Sequence, residues 1–122
     1  MASPSRKEHI RAYKETTHAM GVYRIHNTAD DRSLVGSSVN IEARLNRHRA
    51  ELRFGTHPNR ALQQDWNRLG QDAFVFETLD ILPPPDAPGQ DVSDDLAVLE
   101  SLWLDRLAPY GLRGYHPDPD GV

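Results

Sequence analysis

The chain has no cysteine among its 122 residues, which excludes disulfides and thiolate-held metals. Aromatic residues make up only 7%, so an extended base-stacking platform for single-stranded nucleic acid is not expected. No apolar run approaches the length of a membrane span, and no membrane partner is expected. The N-terminal stretch MASPSRKEHIRAYKETTH is basic and polar and lacks a signal peptide's apolar core, so the expected location is the cytoplasm. An HExxH motif, a glycine-rich phosphate loop and a nucleophile elbow are also missing. The histidines, among them His18, His26, His48 and His57, are too scattered to define a zinc site.

What remains suits one domain with a single modest core, at 38% hydrophobic and 26% charged residues. The formal net charge of −4 argues weakly against nucleic acid, but its distribution matters more than its sum. Between Asn40 and Arg60 stand Arg44, Arg47, Arg49, Arg53 and Arg60 against Glu42 and Glu51, whereas every charge from Asp80 to Asp95 is an aspartate. A basic middle followed by an acidic segment fits a solvated helix beside an acidic loop as well as it fits a phosphate-binding face.

Two short apolar runs, Val22–Tyr23–Ile25 and Leu34–Val35, flank the turn-forming NTADD and predict a β-hairpin. Residues 5–17 read as weakly helical, with Ile10 and Tyr13 as apolar contacts. Asn40 can cap a helix over IEARLNRHRAELRF, closed by Gly55. A second helix over NRALQQDWNRLG has Pro58 near its start, Gly70 at its end and Leu62, Trp66 and Leu69 as its buried stripe. AFVFETLDIL reads as a central or partly covered strand. The prolines and aspartates of PPPDAPGQDVSDD make it a loop. Ser93 or Asp94 can cap a last helix, LAVLESLWLDRL, in which Leu96, Leu99, Trp103 and Leu107 share a face. The expected fold class is α+β: a small, mostly antiparallel three-stranded sheet, hairpin plus one strand, flanked by helices. Residues 1–19 form an N-terminal extension, 20–108 the domain proper and 109–122 an irregular tail.

Three sets of residues could carry chemistry. Tyr23 on the hairpin, taken by itself, reads first as a packing residue, as a tyrosine in a strand usually is. Arg44 and His48 lie four apart and share a helical face. This is either an exposed cationic surface or a site in which arginine grips phosphate and histidine handles protons. Glu100 interrupts the apolar face of the last helix. A carboxylate there is usually exposed, but a hard cation such as Mg²⁺ can use a single carboxylate together with water and phosphate ligands.

In this order the pieces resemble the GIY-YIG nuclease family, from Gly21 to about Leu107. Gly21–Val22–Tyr23 stands at the first triplet and Leu34–Val35–Gly36 at the second. Arg44, His48 and His57 match residues of the intron-homing members, and Glu100, three before Trp103, matches the metal-binding glutamate. The resemblance implies an endonuclease that hydrolyses DNA with Mg²⁺ or Mn²⁺ held by Glu100. Arg44 would hold the scissile phosphate and Tyr23 would deprotonate the attacking water. Because a free tyrosine is ionised in only about one molecule per thousand at pH 7, Tyr23 needs a proton acceptor or the cation's field to act as a base, and His48 is the candidate helper as acceptor.

Leu34 departs from the family, whose second triplet begins with tyrosine. Leucine fills the strand position but makes no hydrogen bond. The loss of one transition-state hydrogen bond costs on the order of 10²–10³ in rate rather than all activity. Ser37, Ser38 and Tyr13 are the nearest substitute hydroxyls. Arg47, Arg53, His57 and Arg60 are the expected substrate-binding residues, through the phosphate backbone rather than the bases, while Arg49 reads as a solubility residue. Phe54, Tyr110 and Tyr115 could stack one or two bases. Low sequence specificity is expected, or specificity lent by a protein partner, with DNA favoured over RNA. The rival readings are a catalytically silent nucleic-acid-binding module of the same fold and a protein-interaction domain.

Overall fold

The turn NTADD closes the hairpin through Asn27, whose side-chain oxygen accepts the backbone N–H groups of Ala29 and Asp30. In the computed structural model, which describes residues 18–87 and 89–117, this hairpin comprises β1 (Gly21–Asn27) and β2 (Arg32–Ser38). Its antiparallel register sets Tyr23 opposite Gly36 and Ile25 opposite Leu34. The predicted helix at residues 5–17, and with it Tyr13, lies outside the described residues.

Asn40 caps helix α1 (Ile41–Phe54) by accepting from the Ala43 N–H, and Gly55 ends it in the left-handed conformation at φ 79°. Helix α2 (Arg60–Leu69) is capped by Asn59, which accepts from the Leu62 N–H, and ends at Gly70. Strand β3 (Phe74–Ile81) pairs antiparallel with β1, so the sheet order is β2-β1-β3. The most buried strand is thus β1. Strand β3 occupies an edge and is partly covered, the second of its two expected placements, with Trp66 against Phe74 and Phe76.

Helix α3 (Ser93–Leu107) begins without the expected serine or aspartate cap. Val92 holds the cap position, and the Ser93 amide and hydroxyl instead bind Asp91. Among the described residues, no helix is long and apolar enough to cross a membrane.

Strand alternation divides the core between the two sheet faces. On one face Tyr23, Ile25, Ile41, Leu45, Leu52, Leu62, Trp66 and Phe74 form a cluster under α1 and α2, with Leu34 packed against it. On the other face Val22, Val35 and Leu96 are buried where α3 crosses β1 and β2. Tyr115 belongs to the first cluster. The segment after α3 is therefore more than an irregular tail: it makes a short helical turn at Gly111–Arg113 and lies along β2, the Tyr115 N–H donating to the Ser33 carbonyl. The burial of Tyr115 also removes it as a base-stacking residue, whereas Phe54 is 82% exposed.

Candidate active site

Gly36 positions the site. A Cβ built at this position would lie 2.4 Å from the Tyr23 oxygen, so the phenol ring lies across a backbone that only glycine leaves clear. From there the Tyr23 oxygen is 2.8 Å from His48 Nε2. His48 Nδ1 is in turn 2.8 Å from His57 Nε2, and His57 Nδ1 accepts the Asn59 backbone N–H at 3.0 Å. All three rings are buried. One residue beyond Gly36, the Ser37 hydroxyl donates to Glu100 Oε1 at 2.5 Å, tying β2 to α3. Strand alternation sends Tyr23 to the α1 face and Ser37 to the α3 face, and the Glu100 carboxylate that Ser37 holds is still near enough to act on the Tyr23 phenol.

The electrostatics follow from burial and from Arg44. Burial raises the Tyr23 phenol above its ordinary pKa, the nearby Arg44 guanidinium opposes this, and the Glu100 carboxylate adds to it. Burial pushes His48 down to about 4, helped by His57 and by the positive charges of Arg44 and Arg47. His57 is lowered by burial against the opposing pull of Glu51. Both imidazoles are therefore neutral at neutral pH.

A model of the GIY-YIG catalytic domain matches residues 19–112, most of the chain. The chain belongs to the GIY-YIG family. It is 35% identical over 88 residues to intron-associated endonuclease 1 of Enterobacteria phage T4, a match covering 71% of this chain and 32% of that protein. The chain thus spans about a third of the length of that relative. Two solved structures of the catalytic domain of the homing endonuclease I-TevI superpose on it. A point mutant gives a TM-score of 0.65 at 28% identity, covering 80% of this chain and 92% of that one. The other gives 0.64 at 28%, covering 79% and 95%.

Within this GIY-YIG frame the structure brings together Tyr23, His48, Arg44 and Glu100. Arg47 is exposed on the same flank of α1 as Arg44, loosely paired with Glu51 at 3.8 Å. Arg53 is not brought to the site: nine residues from Arg44, roughly half a turn about the helix axis, it lines a separate groove with Arg49, Trp66 and Phe76. Arg60 stands at the start of α2, beside the loop carrying His57. His57 itself is 6% exposed, with both ring nitrogens engaged inside the protein, so it backs His48 instead of facing substrate.

Of the substitute hydroxyls, Ser37 meets Glu100. Ser38 instead closes the turn before α1 by accepting from the Asn40 N–H and donating to its carbonyl. Leu34 packs into the core opposite Ile25. Sequence reasoning missed His116. Its Nε2 accepts the Val35 N–H at 2.8 Å, and the Glu100 carboxylate opposes the lowering of its pKa by burial. Nothing in the run YHPDP has a periodicity that would place it there.

The donor sets distinguish two positions where a cation could sit. Glu100 offers carboxylate oxygen and sits beside the Tyr23 and Arg44 groups, which suits a hard ion completed by water and phosphate. His48, Glu51 and His57 also cluster, with ligand atoms within 4.8 Å of one another. There the two nitrogens already share a hydrogen bond, and a mixed nitrogen and oxygen set suits a zinc-like ion. Of the two donor sets, the carboxylate of Glu100 is the one that fits a hard divalent ion.

Proposed function

We propose that this chain is a divalent-metal-dependent endonuclease that hydrolyses DNA phosphodiester bonds with little sequence preference of its own. The observation that carries this reading is the grouping of the Arg44 guanidinium and the Glu100 carboxylate near the buried Tyr23 phenol, whose ring lies over Gly36 and whose oxygen is bonded to His48. A buried phenol beside a guanidinium and a carboxylate supplies a proton-handling group, a phosphate grip and a cation ligand within one small space.

Glu100 would hold Mg²⁺ or Mn²⁺, which when bound neutralises charge on the phosphate and the departing oxygen. Ser37 orients the carboxylate from behind. Arg44 binds a phosphate oxygen through its planar fork and stabilises the charge that develops there. Tyr23, ionised, takes a proton from a water molecule as that water's oxygen forms a bond to phosphorus. The phosphorus–oxygen bond on the opposite side breaks, and the leaving sugar oxygen is protonated from solvent. Arg47 extends the grip along the backbone, which positions DNA without reading its sequence. Any stronger specificity is lent by a partner or by further protein.

Leu34 removes one hydroxyl without disturbing the strand, because it fills the core opposite Ile25. The reading therefore includes a slowed enzyme with its other groups in place. The test is nicking of supercoiled plasmid with Mg²⁺ or Mn²⁺ and with chelator. Metal-dependent nicking is expected, reduced on the order of 10²–10³-fold by Arg44→Ala. Nicking that persists in chelator, or is indifferent to Arg44, would refute the proposed site.

A further inference from the structure

The chain of bonds behind Tyr23 has a direction, and one donor in it is not negotiable. A backbone N–H can only donate, and that of Asn59 points at His57 Nδ1 from 3.0 Å. His57 Nδ1 is therefore an acceptor. A neutral imidazole then carries its one proton on Nε2, which faces His48 Nδ1. That nitrogen must accept in turn, which leaves the His48 proton on Nε2, facing the Tyr23 oxygen at 2.8 Å. The opposite order would set two N–H groups against each other at Asn59 and His57 and leave a buried donor unpaired.

We infer that His57, polarised by the Asn59 backbone N–H, fixes the His48 tautomer so that His48 donates a hydrogen bond to Tyr23 instead of accepting its proton. This reverses the role expected of His48 from the sequence and rests on the nuclease reading only for its catalytic consequence. The Tyr23 hydroxyl proton then points away from His48, toward the space flanked by Arg44 and Glu100. When the O–H bond breaks, the proton leaves to solvent on that side and the electron pair stays on oxygen, where the His48 N–H already stabilises it. The phenolate so formed takes the proton of the attacking water. His57 is a positioning residue: it touches neither substrate nor cation and acts through His48.

The experiment is long-range proton–nitrogen NMR of the imidazoles in the full ¹⁵N-labelled chain at neutral pH. Both His48 and His57 are expected as Nε2–H tautomers with unprotonated Nδ1. A proton on His48 Nδ1 would overturn the inference whatever the enzyme does to DNA. Because this readout needs no activity, a chain with the expected tautomers that cuts nothing upholds the polarity and defeats the nuclease reading alone. Two variants add a kinetic arm. His57→Gln keeps an N–H toward His48 and an oxygen for Asn59, and should preserve the His48 tautomer and cleavage to within about tenfold; His57→Ala should lose the tautomer and about 10²-fold or more in rate. Equal losses in folded Gln and Ala variants would overturn the positioning role.

Discussion

At Gly36 one hydrogen atom separates a working geometry from a blocked one. The Gly36→Ala variant would press a methyl group onto the Tyr23 oxygen and ring, at 2.4 and 2.6 Å, and the ring must move. Overpacking of this kind costs about 1–3 kcal/mol of stability. Because the moved group is the proposed base, cleavage should fall by far more than stability implies. Kinetics and urea denaturation on the same preparation check this; an alanine variant with unaltered rate would show that Tyr23 need not lie over Gly36. Ser37 makes a subtler case. Its hydroxyl is the described side-chain partner of Glu100, so Ser37→Ala should leave the fold intact and weaken cation dependence about 10–100-fold, read as a shift in the Mg²⁺ concentration giving half-maximal nicking. An unshifted titration would make Ser37 a packing residue.

Among the elements, the hairpin tip shows how much of the fold lies outside local sequence patterns. Asn27 is fully buried and donates to the Tyr115 hydroxyl, which itself donates to Asp65 at 2.7 Å. Arg32 adds a 2.8 Å bond to Asp65 and lies over the Tyr115 ring. This network clamps the hairpin, α2 and the C-terminal segment together. Tyr115→Phe leaves Asp65 and Asn27 each short of a partner and should cost about 1–3 kcal/mol in urea denaturation. A loss within error would mean that water replaces the hydroxyl. The hairpin and helices α1 and α2 were legible because caps, turn residues and periodic apolar positions are local signals. The clamp was not, since it joins residues up to 88 positions apart. The same distance hid His116, and the acidic loop before α3 concealed that Asp91 serves the Ser93 amide. Arg53 lies in a groove apart from Arg44 for a simple reason. Charge along a sequence does not say which side of a helix it occupies, and helical spacing from Arg44 does.

Over the whole molecule, the buried histidines tie stability to pH. His48, His57 and His116 all titrate below their ordinary value because burial penalises the charged form. Above about pH 6.5 both folded and unfolded chains are neutral at these rings and the fold has its full stability. As pH falls, the unfolded chain takes up protons first, so stability declines from about pH 6.5 down through the folded value of about 4 at His48. For His48 alone the loss is on the order of 3 kcal/mol. Thermal denaturation from pH 7.5 to 4 should show this decline, and His48→Gln should flatten it. A profile flat across that range in the unaltered chain would mean that these rings are solvated.

Family membership follows from the matched domain, and the catalytic claim turns on Glu100. The most direct measurement compares the unaltered chain with Glu100→Ala on supercoiled plasmid across a Mg²⁺ and Mn²⁺ titration, with DNA binding followed in parallel. Metal-dependent cutting by the unaltered chain, lost by about 10³-fold or more in a variant that still folds and binds DNA, is the predicted result. Equal cutting by both proteins, or DNA binding by both with no cutting at any metal concentration, would contradict the account and leave a nucleic-acid-binding module in place of an enzyme.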